Sequence, residues 1–144
     1  MMKENDRLTS AYGQIENAQR RDVKYDLEER LLDFAVRIIE IVEALPDTRT
    51  GNHIAGQLLR CGTSAAPNYG EAQSAESRKD FVHKMKICLK ELRETNVWVK
   101  IVQRRDLFKR KGELEALIGE CNELISIFVK SIKTARNNMG TAKE

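Results

Sequence analysis

Apolar residues that recur at alternating spacings of four and three leave a chain little choice of fold, and here the pattern occurs in four separate stretches. Leu27, Leu31, Phe34, Ile38, Ile41 and Leu45 form the first. Such spacing puts every member on one stripe of an α-helix, which turns once in about 3.6 residues. Asp26 is a candidate N-cap, and Glu28 and Glu29 suit the positive end of the helix dipole. Pro46 ends the helix, because the residue before a proline avoids the αR region. The segment Asp47 to Asn52 then reads as a connecting loop.

Ile54, Leu58, Cys61, Ala65 and Ala72 continue the spacing in a second helix, with Asn68 at the remaining seam position. Pro67 removes a backbone donor and predicts a kink, while the small residues from Cys61 to Ala66 allow a neighbouring helix to come close. Ser77 followed by Asp80 resembles a capping box and opens a third helix with Phe81, Met85, Cys88, Leu92, Val99 and Val102 on its seam and Thr95 as the one polar member. This helix is expected to run to about Arg105, with a loop ending near Gly112. Leu114, Ile118, Cys121, Ile125, Phe128, Ile132 and Ala135 define the fourth seam. Four amphipathic stretches joined by short connections predict an all-α fold, an antiparallel up-down four-helix bundle occupying residues 25–136. Residues 1–24 are expected to be an arm, partly disordered or with a short helix around Leu8, Tyr12 and Ile15. Residues 137–144 are expected to be a frayed tail.

At 144 residues the chain can bury one continuous core without staples. It has no apolar run near the roughly 18 residues a membrane span requires and no signal-peptide layout, so the expectation is a cytoplasmic protein with no membrane partner. Cys61, Cys88 and Cys121 are odd in number, lack C-x-x-C spacing and fall on seams, which suits buried reduced thiols rather than a disulfide, a metal knuckle or a nucleophile. His53 and His83 have no carboxylate at ligand spacing, and glycine-rich phosphate loops and the G-x-S-x-G elbow are absent. The expectation is therefore no metal, no cofactor and no enzymatic activity.

Charge is the most informative remaining feature. The chain carries only +3 in total, but residues 78–111 hold twelve Lys and Arg against four Asp and Glu, a local +8. Within that segment Lys79, His83, Lys86, Lys90, Arg93, Lys100 and Arg104 step along one face of the third helix. At ~1.5 Å per residue the stripe is roughly 37 Å long, and Lys109, Arg110 and Lys111 would extend it into the next loop. A cationic line of this kind suits phosphate contacts, which release condensed counterions without requiring base-specific groups and so give little sequence preference. A solvated surface or a contact with an acidic protein would use the same residues. Trp98 lies beside the seam and reads as a packing residue rather than a platform for bases.

Gln57, Arg60, Ser64, Asn68 and Glu71 step by three or four along the second helix, in a sector of roughly 80° beside its apolar seam. With Glu91 and Glu94 of the third helix they are expected to form a buried polar network that fixes helix register, with Arg60 paired to Glu71, Glu91 or Glu94.

These residues also carry a resemblance. Gln57-Leu58-x-Arg60, Ser64, Asn68 and Glu71, followed by Lys79-x-Phe81 and Leu89-x-Glu91-x-x-Glu94-Thr95, resemble the small bacterial four-helix bundle proteins encoded in intervening sequences of 23S ribosomal RNA genes. The likeness extends from about Asp26 to Arg136. Many relatives follow the Asn with Ile-Ala-Glu-Gly, where this chain has Tyr69-Gly70-Glu71-Ala72 and keeps the Glu. The resemblance implies assembly into a homopentameric ring without catalytic activity. A related branch serves as the accessory protein of diversity-generating retroelements, which implies nucleic acid, RNA above all, and a reverse transcriptase as partners. The combined expectation is a non-enzymatic, oligomeric bundle that binds RNA or DNA through its basic helix face; the alternative is a scaffold or accessory subunit for an acidic protein partner such as a reverse transcriptase.

Overall fold

The computed structural model describes residues 26–141, and among these the regular structure is helical with no strands. Helix α1 covers residues 26–44, α2 Arg49–Gly62, α3 Ala65–Gln73, α4 Arg78–Arg104 and α5 Lys111–Thr141. Helices α2 and α3 are two pieces of one broken rod, so the described residues form four rods. The break has a local cause. Pro67 offers no N–H to the carbonyl of Thr63 four residues earlier and its ring crowds that carbonyl, so the interruption falls at Thr63 and Ser64, a turn before the proline itself. The Ser64 hydroxyl donates to the Arg60 carbonyl, and Asn68 N–H returns to the Ser64 carbonyl at 3.2 Å.

The core follows the four seams, except that Leu45 and Ala135 at their ends are only half-buried, and with three further revisions. Leu27, Leu31, Phe34, Ile38 and Ile41 are buried on α1, and Ile54, Leu58, Cys61, Ala65 and Ala72 on the broken rod. Tyr69, not Asn68, takes the remaining seam position there; its ring meets Phe128 of α5 edge-on at 6.0 Å, while Asn68 is half-buried. On α4 the buried residue of the first turn is Val82 rather than Phe81. On α5 Leu114, Cys121, Phe128 and Ile132 are buried as expected, but Leu117 and Leu124 are buried where Ile118 and Ile125 are half-buried, so the buried stripe is turned slightly toward Leu117 and Leu124. Thr95 is fully buried and satisfies its hydroxyl by donating to the Glu91 carbonyl at 2.7 Å.

Two glycines permit the packing. Gly51 lies in the first turn of α2, not in a loop, with Thr48 as N-cap accepting the Gly51 N–H at 3.0 Å. A Cβ at Gly51 would come within 1.9 Å of the Pro46 carbonyl oxygen. A Cβ at Gly62 would stand 2.6 Å from Ile38 Cγ2, so glycine lets α1 and α2 approach closely. Contacts between the broken rod and α4 run in reverse order: Arg60 meets Glu91 and Glu94, Ala65 meets Cys88, and Glu71 meets Lys84. The two therefore run in opposite directions. Arg30 of α1 bonds Glu120 and Glu123 of α5, and Asn96 of α4 donates to Asn122 of α5 at 3.1 Å.

At the ends, α4 begins at Arg78 with the Ser77 hydroxyl accepting the Asp80 N–H at 3.1 Å. Helix α5 starts a residue before Gly112 and continues through Thr141, so residues 137–141 are helical where a frayed tail was expected. The expected arm over residues 1–24 lies outside the described residues, as do residues 142–144. No helix among the described residues is long and apolar enough to cross a membrane.

Candidate nucleic-acid interface

Helix α4 buries Val82, Met85, Cys88, Leu92, Thr95, Val99 and Val102, and this fixes which side faces outward. Lys79, His83, Lys86, Lys90, Arg93, Lys100 and Arg104 are all exposed. None of the seven takes part in an ion pair among the described residues; the ion pairs around them use Lys84 with Glu71, Arg60 with Glu91 and Glu94, Arg110 with Glu113, and Lys111 with Asp106. The stripe therefore keeps its charge uncompensated by direct contact. It is interrupted once, at Val97, whose side chain is 57% exposed.

The expected extension beyond α4 is weaker than its composition suggested. Arg110 Nε lies 3.2 Å from Glu113, and its guanidinium sits 5.1 Å above the Phe108 ring. Lys111 Nζ is 3.6 Å from Asp106. Asp106 holds a positive φ of 56°, part of the tight reversal after α4. Of these three cations only Lys109 is exposed with no such partner among the described residues.

A second contribution comes from α5. Lys133 and Arg136 are exposed and line two adjoining hollows together with Lys86, Lys90 and Arg93 of α4. They lie in a helix whose two halves carry opposite charge. Residues 111–123 hold four carboxylates against Lys111, whereas residues 124–141 hold Lys130, Lys133 and Arg136 and no carboxylate. Counting charge per half-helix would have exposed this change of sign.

The seven residues expected to form one buried network are split into three groups. Arg60 Nη1 reaches Glu91 at 3.4 Å, Arg60 Nη2 reaches Gln57 at 3.1 Å and also Glu94, but the guanidinium is exposed and these bonds lie on the rim of the α2–α4 contact. The hydrogen bond to Glu94 raises the Arg60 pKa still further above its ordinary value. Ser64 and Asn68 bond carbonyls of their own rod, the Asn68 amide donating to the Ser64 carbonyl at 2.9 Å. Glu71 is exposed and pairs with Lys84 at 2.7 Å instead of Arg60. The physical reason is the break at Thr63 and Ser64: it rotates Tyr69 into the core and leaves Asn68 at the edge.

Cys61, Cys88 and Cys121 are buried and free. Burial is the main cause that pushes their thiols up, to about 11 for Cys61 and to about 12 for Cys88 and Cys121. They are neutral at physiological pH, and a neutral thiol is a poor nucleophile. Among the described residues no three His, Cys, Asp or Glu side chains group in a way that could hold a metal ion. Trp98 is half-buried and meets His53 of α2 edge-on at 5.8 Å.

Comparison with known proteins agrees with this architecture. Residues 24–130 match the model of the 23S rRNA-intervening sequence protein family. A crystal structure of a protein of unknown function from the S23 ribosomal protein family of Bacteroides thetaiotaomicron VPI-5482 is similar at 33% identity and a TM-score of 0.68, covering 74% of this chain and 98% of that one. No curated protein matches the chain.

Proposed function

Because the chain belongs to the 23S rRNA-intervening sequence protein family, we propose that it is a non-enzymatic bundle protein that holds RNA or DNA phosphates on the outer face of α4 with little sequence preference. One observation carries this reading: all seven stripe residues are exposed and none is in an ion pair among the described residues. Lysines and arginines neutralised by neighbouring carboxylates would have little counterion-release free energy to offer, whereas unpaired ones on a straight rod keep it. Phosphate contacts carry no sequence information, so a stripe that binds through them tolerates any sequence. The test is charge reversal: Lys86→Glu, Lys90→Glu and Arg93→Glu together should weaken binding to unrelated RNA and DNA fragments by about tenfold or more, alike for every sequence. Unchanged affinity would refute the assignment. Recovery of an acidic protein, such as a reverse transcriptase, instead of nucleic acid on purification from the host would favour the accessory-subunit reading.

The proposal extends to assembly. The four rods form an up-down bundle, and copies associate in the cytoplasm as a ring, five-membered as in the family resemblance. Leu32, Val36 and Ile39 of α1 step by four and three on the side opposite its buried residues and are 46%, 53% and 37% exposed. An apolar line of this kind on a helix with a complete core on its other side fits a contact between copies. Light scattering measures the subunit number directly; a monomer at all concentrations would dismiss the ring.

A further inference from the structure

Where α4 and the second half of α5 lie side by side, two open hollows of roughly 450 and 410 Å3 share Leu89, Arg93, Ile132 and Arg136 and so form one continuous groove. Its walls carry five cations, Lys86, Lys90 and Arg93 from α4 and Lys133 and Arg136 from α5, and none of its lining residues is a carboxylate. All five are exposed and none is in an ion pair among the described residues. The floor is aliphatic: Leu89 is half-buried, Val129 is 41% exposed and Ile132 is 6% exposed.

We propose that this groove binds single-stranded nucleic acid in preference to duplex, gripping successive phosphates from both walls and resting sugars and bases on the aliphatic floor. This rests on the reading of α4 as a phosphate-binding face and adds α5 as its second wall. Cations on two walls surround a strand that enters between them, while a surface that stays outside meets only those along one ridge. Helices packed with axes about 8 to 10 Å apart leave no gap between them but an open furrow above their seam, which a flexible strand can follow. A duplex is stiff over ~50 nm and presents its phosphates on a convex surface, so it touches the α4 ridge and reaches Lys133 and Arg136 poorly. An aliphatic floor has no donors or acceptors to select a base, so the preference is for strandedness and not for sequence.

Charge complementarity alone would also suit an acidic amphipathic helix. Such a helix needs apolar anchors along two or more turns. The exposed apolar surface here is confined to Val129 and part of Leu89, because Ile132 is already covered. The short floor and the five-fold cationic wall therefore favour a thin polyanion.

The experiment compares oligouridylate with a duplex RNA of equal length, using the full chain and a double variant, Lys133→Glu with Arg136→Glu. Both positions are exposed, and circular dichroism melting checks that the variant folds; the neutral pair Lys133→Gln and Arg136→Gln provides a milder second variant. The expected result is tighter binding of oligouridylate by the parent, a loss of about tenfold or more in the Glu pair, and duplex affinity changed by about twofold or less. The salt slope for oligouridylate should fall by about 1.4 in the neutral pair, the loss of two single-strand phosphate contacts. If the parent binds both forms equally, or the variants lose neither affinity nor slope while the α4 reversals do, the groove is refuted and the α4 reading stands. If the parent binds neither form at low salt, the α4 reading itself is refuted. Displacement of oligouridylate by polyglutamate at equal charge concentration would overturn the groove in favour of an acidic protein.

Discussion

At Gly62 the space for a side chain is already occupied by Ile38, and the substitution Gly62→Ala forces either the α1–α2 spacing or the Ile38 rotamer to change. Overpacking of this kind costs about 1–3 kcal/mol, so the midpoint of urea unfolding should fall for Gly62→Ala; no change would mean that Ile38 moves aside freely. Asn68→Leu should cost less, about 1 kcal/mol or under, because the amide serves only its own rod's Ser64 carbonyl, which the Asn68 N–H also reaches. The buried thiols make a different prediction. Their ordinary pKa of 9.0 applies to the unfolded chain, whereas burial holds them at about 11 for Cys61 and about 12 for Cys88 and Cys121 when folded. Above pH 9 the unfolded state therefore releases protons that the folded state retains, and alkali favours unfolding. Stability contributed by these groups is complete below the unfolded value and is lost as pH rises toward the folded ones. Urea midpoints should drop between about pH 8 and about pH 10, and Cys88→Ala should reduce the drop; a pH dependence that the variant leaves unaltered would assign it to other groups.

At the scale of elements, the pairing of α2 with α4 depends on packing more than on its rim charges. Arg60 is half-exposed or more at its side chain, so a double-mutant cycle with Glu94 should give a coupling of about 0–1 kcal/mol, measured by chemical denaturation. A coupling several times larger would restore the buried-network idea. Most of the rod pattern was legible in the sequence because burial on a helix needs only a periodic stripe. Leu31, Phe34, Ile38, Leu58, Met85, Leu92 and Phe128 all sit where the four-three spacing put them. The choice between adjacent candidates was not legible: Tyr69 against Asn68 and Val82 against Phe81 depend on a break in the rod and on the direction of the neighbouring helix, which no single segment encodes. The α4 stripe was legible for the opposite reason, since a long solvent-facing side is defined by the same periodicity as the buried one. The α5 half of the groove was not, because Glu113, Glu115, Glu120 and Glu123 cancel Lys111, Lys130, Lys133 and Arg136 in any sum over the whole helix.

For the whole molecule the question is how a set of rods with one cationic face and one outward apolar line is used. Val36 is the most exposed member of the α1 line, at 53%, and its replacement leaves the internal core intact. In the proposed assembly Val36→Glu should therefore lower the mass seen by light scattering without lowering the melting temperature of the resulting subunits by much; an unaltered mass would rule out α1 as the contact between copies. Assembly would repeat the α4 face around the particle and raise its avidity for a long polyanion. The central claim is that α4 offers unpaired cations to phosphates, and salt dependence tests it most directly. Affinity for a generic RNA measured across a salt series should give log K falling linearly with log salt at a slope of roughly −3 to −5, as four or more phosphate contacts require. A slope near zero, or no binding at the lowest salt, would contradict the account.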